Sequence, residues 1–308
     1  MDAQETKMLE QQRQRRKRVE RIRTSLVLFM AIWAIVSLLV IVVLSVQVIK
    51  LNSRVSHMEL QLTSMESASE AEDDMGEEST QQSDVVSTDA QDNLAKEGDK
   101  HQVYLTFDCT PSMNTEKILD SLERCNVKAT FFMVGSDDES LIPIYKRIVK
   151  DGHTLGMNSF SNQYSTIYSS TKSFEEDYGE ISDFLYDITG VKSSYYRFPG
   201  GSNNAISNVD MSEFIKILND KNITYFDYNV SAGDDTGKCT VDSIVTNVLS
   251  GIEKYKTSIV LLHDDDSKSI TAEAIEPLVK ALQKKNVEIL PIDDKTYVVQ
   301  HIKADSVE

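Results

Sequence analysis

Between residues 101 and 302 short apolar runs alternate with longer amphipathic ones, and this alternation restricts the fold more than any other feature. Apolar runs at 103–107, 129–134, 154–157, 195–198, 223–230, 258–262 and 287–291 read as strands. Helical patterns fall between them near 115–125, 141–151, 174–188, 211–221, 241–255 and 271–285. Strands that alternate with helices pair in parallel, because each crossover helix returns the chain to the same end of the sheet. The expected fold is therefore α/β: a distorted (β/α) barrel of about seven parallel strands, closed or nearly closed. In such barrels the chemistry sits at the C-terminal strand ends.

The residues at those ends are mostly polar. The first strand leads into Asp108-Cys109-Thr110-Pro111, and the third into the stretch from Gly156 through Asn158 to Asn162. The fourth ends in Arg197-Phe198-Pro199-Gly200-Gly201, the fifth leads through Tyr228 to Asp234, and the sixth ends in His263-Asp264. Asp108 and Arg197 read either as a structural ion pair or as working groups. His263 is either a satisfied core histidine or a functional one. Cys109 is open to three readings: a small buried residue, a redox thiol, or a nucleophile, the last requiring a depressed pKa. The run Asp264-Asp265-Asp266 reads as a solvated loop. With Asp108, Asp234 and Asp235 it could instead form an anionic pocket for an amino sugar or Ca²⁺.

The first hundred residues are of another kind. Residues 1–24 carry eight Lys/Arg against four Asp/Glu, and 25–49 then run without a charge. That is long enough to cross the hydrocarbon core as a helix, with the basic cluster kept inside. The apolar run is too long for a cleavable signal peptide, and no small-residue cleavage site follows it. Val48, Leu51, Val55, Met58, Leu62 and Met65 are spaced alternately three and four apart. That spacing suits a helical stalk in 50–66, either solitary or paired as a homodimer through 48–65. Residues 67–100 lack aromatics, and 66–100 hold twelve acids against two lysines. A segment so poor in apolar surface is expected to be a disordered, flexible linker. The domain expectations are thus a cytoplasmic tail (1–24), a transmembrane helix (25–49), a stalk (50–66), an acidic linker (67–100) and an extracellular domain (101–303).

Residues 101–308 hold twenty basic and thirty-two acidic side chains. Such a surface does not neutralise phosphates, so nucleic acid is not an expected partner. The three cysteines, Cys109, Cys125 and Cys239, follow neither a disulfide nor a zinc spacing.

On the order of its motifs, the stretch from 101 to 302 resembles the polysaccharide deacetylases of the NodB-homology class, carbohydrate esterase family four. Thr106-Phe-Asp-Cys-Thr-Pro111 is similar to the family's Thr-Phe-Asp-Asp-Gly-Pro. Asn158-Ser-Phe-Ser-Asn162 stands where the family has His-Ser/Thr-x-x-x-His. Arg197-Phe-Pro-Gly-Gly201 matches Arg-x-Pro-x-Gly, and Leu261-Leu-His263 matches Leu-x-His. The flanks look most like membrane-anchored peptidoglycan deacetylases of Gram-positive bacteria.

The resemblance implies a metal held by Asp-His-His that polarises an N-acetyl carbonyl and activates water. It puts Asp108 at the base position, His263 at the acid position and Arg197 where the base is oriented. Asp234 matches the partner of the acid, although Asp235 replaces the expected Trp after it, and Asp227 is a weaker match. Pro199, Gly200 and Tyr228 fall at substrate-binding positions. The metal positions are Cys109, Asn158 and Asn162. Neutral amide oxygens are poor transition-metal ligands, and one thiolate falls short of the usual three ligands. No cofactor is therefore expected unless the site is active after all, with zinc or cobalt. The expected function is a catalytically impaired, membrane-anchored protein that acts on or binds cell-wall N-acetylated glycan or a cell-envelope protein. The alternatives are an active peptidoglycan N-deacetylase, which hydrolyses non-peptide amide bonds, and an assembly protein dimerised by its stalk.

Overall fold

β1 (Gln102–Cys109) is the central strand, and seven of its eight residues alternate strictly between two environments. Val103, Leu105, Phe107 and Cys109 face the main core shared with the helices. Tyr104 faces a small inner cluster with Phe132, Phe226, Ile259 and Ile292, and the period-two rule places Thr106 and Asp108 on the same inner side. A computed structural model of the chain describes residues 93–96 and 100–307. The expected basic tail, transmembrane helix, stalk and most of the acidic linker lie outside the described residues. Among the described residues no helix is long and apolar enough to cross a membrane.

After β1 the elements run α1 (Met113–Arg124), β2 (Thr130–Val134), α2 (Ile142–Lys150), β3 (Thr154–Ser159), α3 (Tyr164–Ile167) and α4 (Thr171–Thr189). They continue with β4 (Tyr195–Tyr196), α5 (Met211–Asp220), β5 (Thr224–Tyr225), β6 (Val230–Ser231), α6 (Val241–Ile252), β7 (Thr257–Asp264), α7 (Ser269–Lys284) and β8 (Glu288–Ile289). Every strand pairing is parallel, and the order across the sheet is β5-β4-β3-β2-β1-β7-β6. This is the expected barrel, curled and incompletely closed.

Two expected strands behave differently in the structure. The run at 223–230 is two short strands on opposite edges of the sheet, joined by residues 226–229. One stretch of chain therefore pairs with β4 at its start and β7 at its end, and bridges the seam. The last expected strand shrinks to β8, which pairs with the start of β1 and lies off the main path. The chain after it covers the N-terminal barrel end: Thr154 donates to the Ile292 carbonyl, and the Ile292 N–H donates to Thr130.

Local chemistry explains where the helices begin and stop. Ser112 caps α1 by accepting from the Asn114 N–H, and Thr115 reciprocates on the Ser112 N–H at 2.9 Å, forming a capping box. Asn126, Asn222 and Asn286 each follow a helix C-cap with φ of 53°, 54° and 56°. Asn tolerates this left-handed conformation better than other non-glycine residues. Each is followed by an apolar residue that begins the next inward turn (Val127, Ile223, Val287).

Folded structure also begins before residue 101. The Asn93 side chain donates to the Thr257 carbonyl and accepts from its N–H, at 2.9 and 2.8 Å, and Leu94 bridges to Tyr255. Residues 93–96 of the expected linker are therefore docked at the start of β7 and are not disordered.

Candidate active-site cleft

Register brings the polar strand ends together. β1 and β7 pair so that Asp108 lies beside His263 and Cys109 beside Asp264. Because neighbouring residues on a strand face opposite ways, Asp108 faces the cleft and Cys109 the helix core, while Asp264 reaches the cleft wall with its carboxylate turned to Cys109. Asp108 and His263 line a cleft of 330 Å³ at the C-terminal barrel end, with Asn158, Asn162, Arg197 and Tyr228 among its walls. Gly200, Gly201, Asp235 and Asp265 also line it. Pro199 is buried behind the cleft, where its carbonyl accepts from the Tyr168 hydroxyl at 2.8 Å.

Arg197 is the structural centre of the site. Only 1% exposed, it donates from Nε to the Phe226 carbonyl at 2.9 Å and from Nη2 to the Asp227 carbonyl at 3.2 Å. Nη1 pairs with Asp108 Oδ1 at 3.1 Å. The guanidinium carbon sits 4.2 Å over the Phe132 ring. The position of that ring depends on Gly156, where a Cβ would come within 2.5 Å of it. Arg197 thus fixes Asp108 while holding the β5–β6 bridge to the barrel wall.

His263 and Asp234 form a second unit. His263 Nδ1 lies 2.8 Å from Asp234 Oδ1, and its backbone N–H donates to Oδ2 at 2.8 Å. Thr271 also donates to Oδ2, at 2.9 Å. Burial lowers the His263 pKa, but the hydrogen bond and charge of Asp234 outweigh it, so the net shift is upward. Burial raises Asp234, and its bonds to His263 outweigh that, so the net shift is downward. Asp227 has different work: buried, it accepts from the Ser202 N–H and hydroxyl and from the His301 N–H. Of the two aspartates, Asp234 is the one joined to His263.

The electrostatics of this pair give a sign to its pH dependence. Asp234 favours imidazolium in the folded chain, so its stabilisation is full below the ordinary imidazole value of about 6.5. It is lost as pH rises through the higher folded value. Asp234→Asn leaves burial opposed only by the charge of Asp108 and is expected to lower the His263 midpoint, read by NMR titration of the ring. An unchanged midpoint would show that other charges set it.

The three family metal positions do not assemble a donor set. Cys109 is fully buried on the helix side, donates to Asp264 Oδ2 at 3.1 Å, and is not part of the cleft wall. Burial raises its thiol pKa well above the ordinary value, and the charge and hydrogen bonding of Asp264 raise it further. That environment opposes the thiolate which a nucleophile or a metal ligand requires. Asn158 turns its amide nitrogen to the Arg197 carbonyl at 3.2 Å, and Asn162 stands exposed with φ of 50°. Two neutral amides and an averted thiol do not fit a tightly held zinc or cobalt ion.

The acidic residues divide in the same way. Asp234 is spent on His263 and Thr271, and Asp264 is 1% exposed beside Cys109. Burial raises the Asp264 carboxyl to about 6, despite opposing hydrogen bonds from Thr115 and Cys109. Only Asp108, Asp235 and Asp265 of that group remain at the cleft with their carboxylates not so enclosed. Sequence reading misses the Cys109–Asp264 contact, the Phe132 platform and the role of Asp177. Asp177 accepts from the Phe160 and Ser161 N–H groups and so holds the loop that carries Asn162. None of these has a local signal, since each depends on register or on a residue distant in sequence.

Comparison with known proteins places this geometry. A family model described as polysaccharide deacetylase matches residues 95–224. The putative polysaccharide deacetylase YheN of Bacillus subtilis is 32% identical over 203 residues, covering 64% of this chain and 68% of that protein. A peptidoglycan-N-acetylglucosamine deacetylase of Bacillus cereus is 27% identical over 200 residues, covering 63% and 67%. Among solved structures, the catalytic domain of a peptidoglycan N-acetylglucosamine deacetylase from Eubacterium rectale superposes with a TM-score of 0.63 at 32% identity. That match covers 68% of this chain and 96% of the other.

Proposed function

This chain belongs to the polysaccharide deacetylase family, and from that premise we propose that it is a membrane-anchored cell-envelope protein that binds N-acetylated cell-wall glycan with little or no hydrolysis. The observation that carries the proposal is the split within one site. The proton-transfer positions keep Asp108, Arg197 and the His263–Asp234 pair, while the metal positions present Cys109, Asn158 and Asn162. A cleft with its polar walls intact can still hold a sugar. Without a Lewis acid it lacks a source of water activation and of oxyanion stabilisation, terms worth several kcal/mol of barrier, or about 10³-fold or more in rate.

Localisation rests on the sequence alone: the basic cluster before the apolar run at 25–49 orients the domain outward, and the acidic segment gives it reach. The retained His263–Asp234 and Asp108–Arg197 pairs favour a second reading, an active deacetylase loaded with a metal through some other donor set. Titration calorimetry of the detergent-solubilised full chain with N-acetylglucosamine oligomers tests the binding proposal. Saturable binding that weakens at least tenfold in His263→Ala is expected. Absence of any binding would refute it.

A further inference from the structure

A concavity beside the cleft follows the barrel seam. It measures 810 Å³, more than twice the cleft, and shares Tyr228 and Ser231 with it. The two spaces therefore adjoin at Tyr228. From there the groove descends past Asn229 to Asn93 and Tyr255, next to the start of β7. It exists because β5 and β6 do not pair, so the segment from Tyr297 to Ala304 covers the seam instead of a strand.

The chemistry of its walls selects a ligand class. Tyr228, Tyr255 and Tyr297 line it with Val298 and Val299, and Tyr297 and Val298 are 37% and 39% exposed. Most of its polar side chains are committed to the fold. Asn93 and Asn229 each bond to the β7 backbone in both directions, and Gln300 donates to the Tyr225 carbonyl and accepts from the Ala304 N–H. Lys303 and Asp305 balance each other in charge. The groove thus offers tyrosine faces with little net charge, on a domain that is otherwise strongly acidic. Pyranose rings present apolar C–H faces that lie against aromatic rings, while their hydroxyls stay solvated at the edges.

We propose that the seam groove is a second glycan subsite that takes the sugar residues continuing out of the cleft, with Tyr255 and Tyr297 as stacking platforms and Tyr228 at the junction. This rests on the reading of the cleft as a glycan site. A polymer held in the cleft has to leave it, and Tyr228 forms a wall common to both spaces. The groove also explains why exposed aromatic and branched side chains cluster at a seam that the sheet leaves unpaired.

The test compares ligand lengths on the full chain. The wild type is expected to bind an N-acetylglucosamine hexamer at least tenfold more tightly than the dimer. Tyr255→Ala with Tyr297→Ala is expected to leave dimer affinity unchanged and reduce hexamer affinity to the dimer's level. If that pair of changes abolishes the native melt, Tyr297→Ala alone, at a half-exposed position, gives the same comparison with a smaller loss. Unchanged hexamer affinity in the variant, equal loss for both lengths, or a wild type that does not distinguish them overturns the groove proposal alone. A wild type that binds neither oligomer overturns the cleft reading as well.

Discussion

Replacing Arg197 with Met is expected to cost about 3–5 kcal/mol of folding stability, the range for breaking a buried ion pair from one side. Met preserves much of the volume over Phe132 but removes every donor. Asp108 then loses its cation, and the Phe226 and Asp227 carbonyls lose theirs in a place that water does not reach freely. Those carbonyls belong to the bridge between β5 and β6, so the damage should spread to the barrel seam. Asp108→Asn is the contrasting change. It keeps a hydrogen-bond acceptor for Arg197 at a side chain that is 21% exposed, and is expected to cost about 1 kcal/mol. Urea unfolding followed by circular dichroism measures both. A loss below about 1 kcal/mol for Arg197→Met would show that the residue only orients Asp108 and does not hold the fold.

The second large effect is a gain. Cys109→Asp, Asn158→His and Asn162→His together are expected to create zinc binding and raise amide hydrolysis by about 10³-fold or more. Position 162 accepts the change readily, because His is among the few side chains that tolerate its left-handed backbone. Position 158 exchanges one hydrogen bond, to the Arg197 carbonyl, for a ligand aimed into the cleft. Position 109 is the demanding one. Its side chain lies against Asp264, so a new carboxylate there faces a buried acid 3.1 Å from the present sulfur. The two carboxylates repel unless a cation or a shared proton intervenes. The two histidine changes alone should therefore bind zinc more weakly than all three. Equal affinity in both variants would show that position 109 does not reach the metal.

Much of the barrel could be read in the sequence because its central strands are buried on both faces. β1, β2 and β7 each hold an apolar run bounded by polar residues, and such runs are hard to place elsewhere. β5, β6 and β8 are two residues each, too short to carry a period, so in sequence the bridge across the seam looks like one strand. The candidate site was legible as residue types at strand ends, but not as contacts. Asp108 and Cys109 are adjacent in sequence, yet the alternation of β1 sends one into the cleft and the other into the helix core. The motif order alone favours Asp234 over Asp227, but the separate work of each is visible only in three dimensions. Both are buried aspartates near the seam, and only hydrogen bonding separates the partner of His263 from the anchor of Ser202.

The most direct test of the proposed loss of catalysis is to give the unmodified full chain excess zinc, remove what is not retained, and assay the same sample for bound metal and for amine released from N-acetylglucosamine oligomers. The expected result is zinc far below one ion per chain and no amine above a protein-free blank, from protein that still binds the oligomer. One tightly retained zinc per chain with sustained amine release would contradict it.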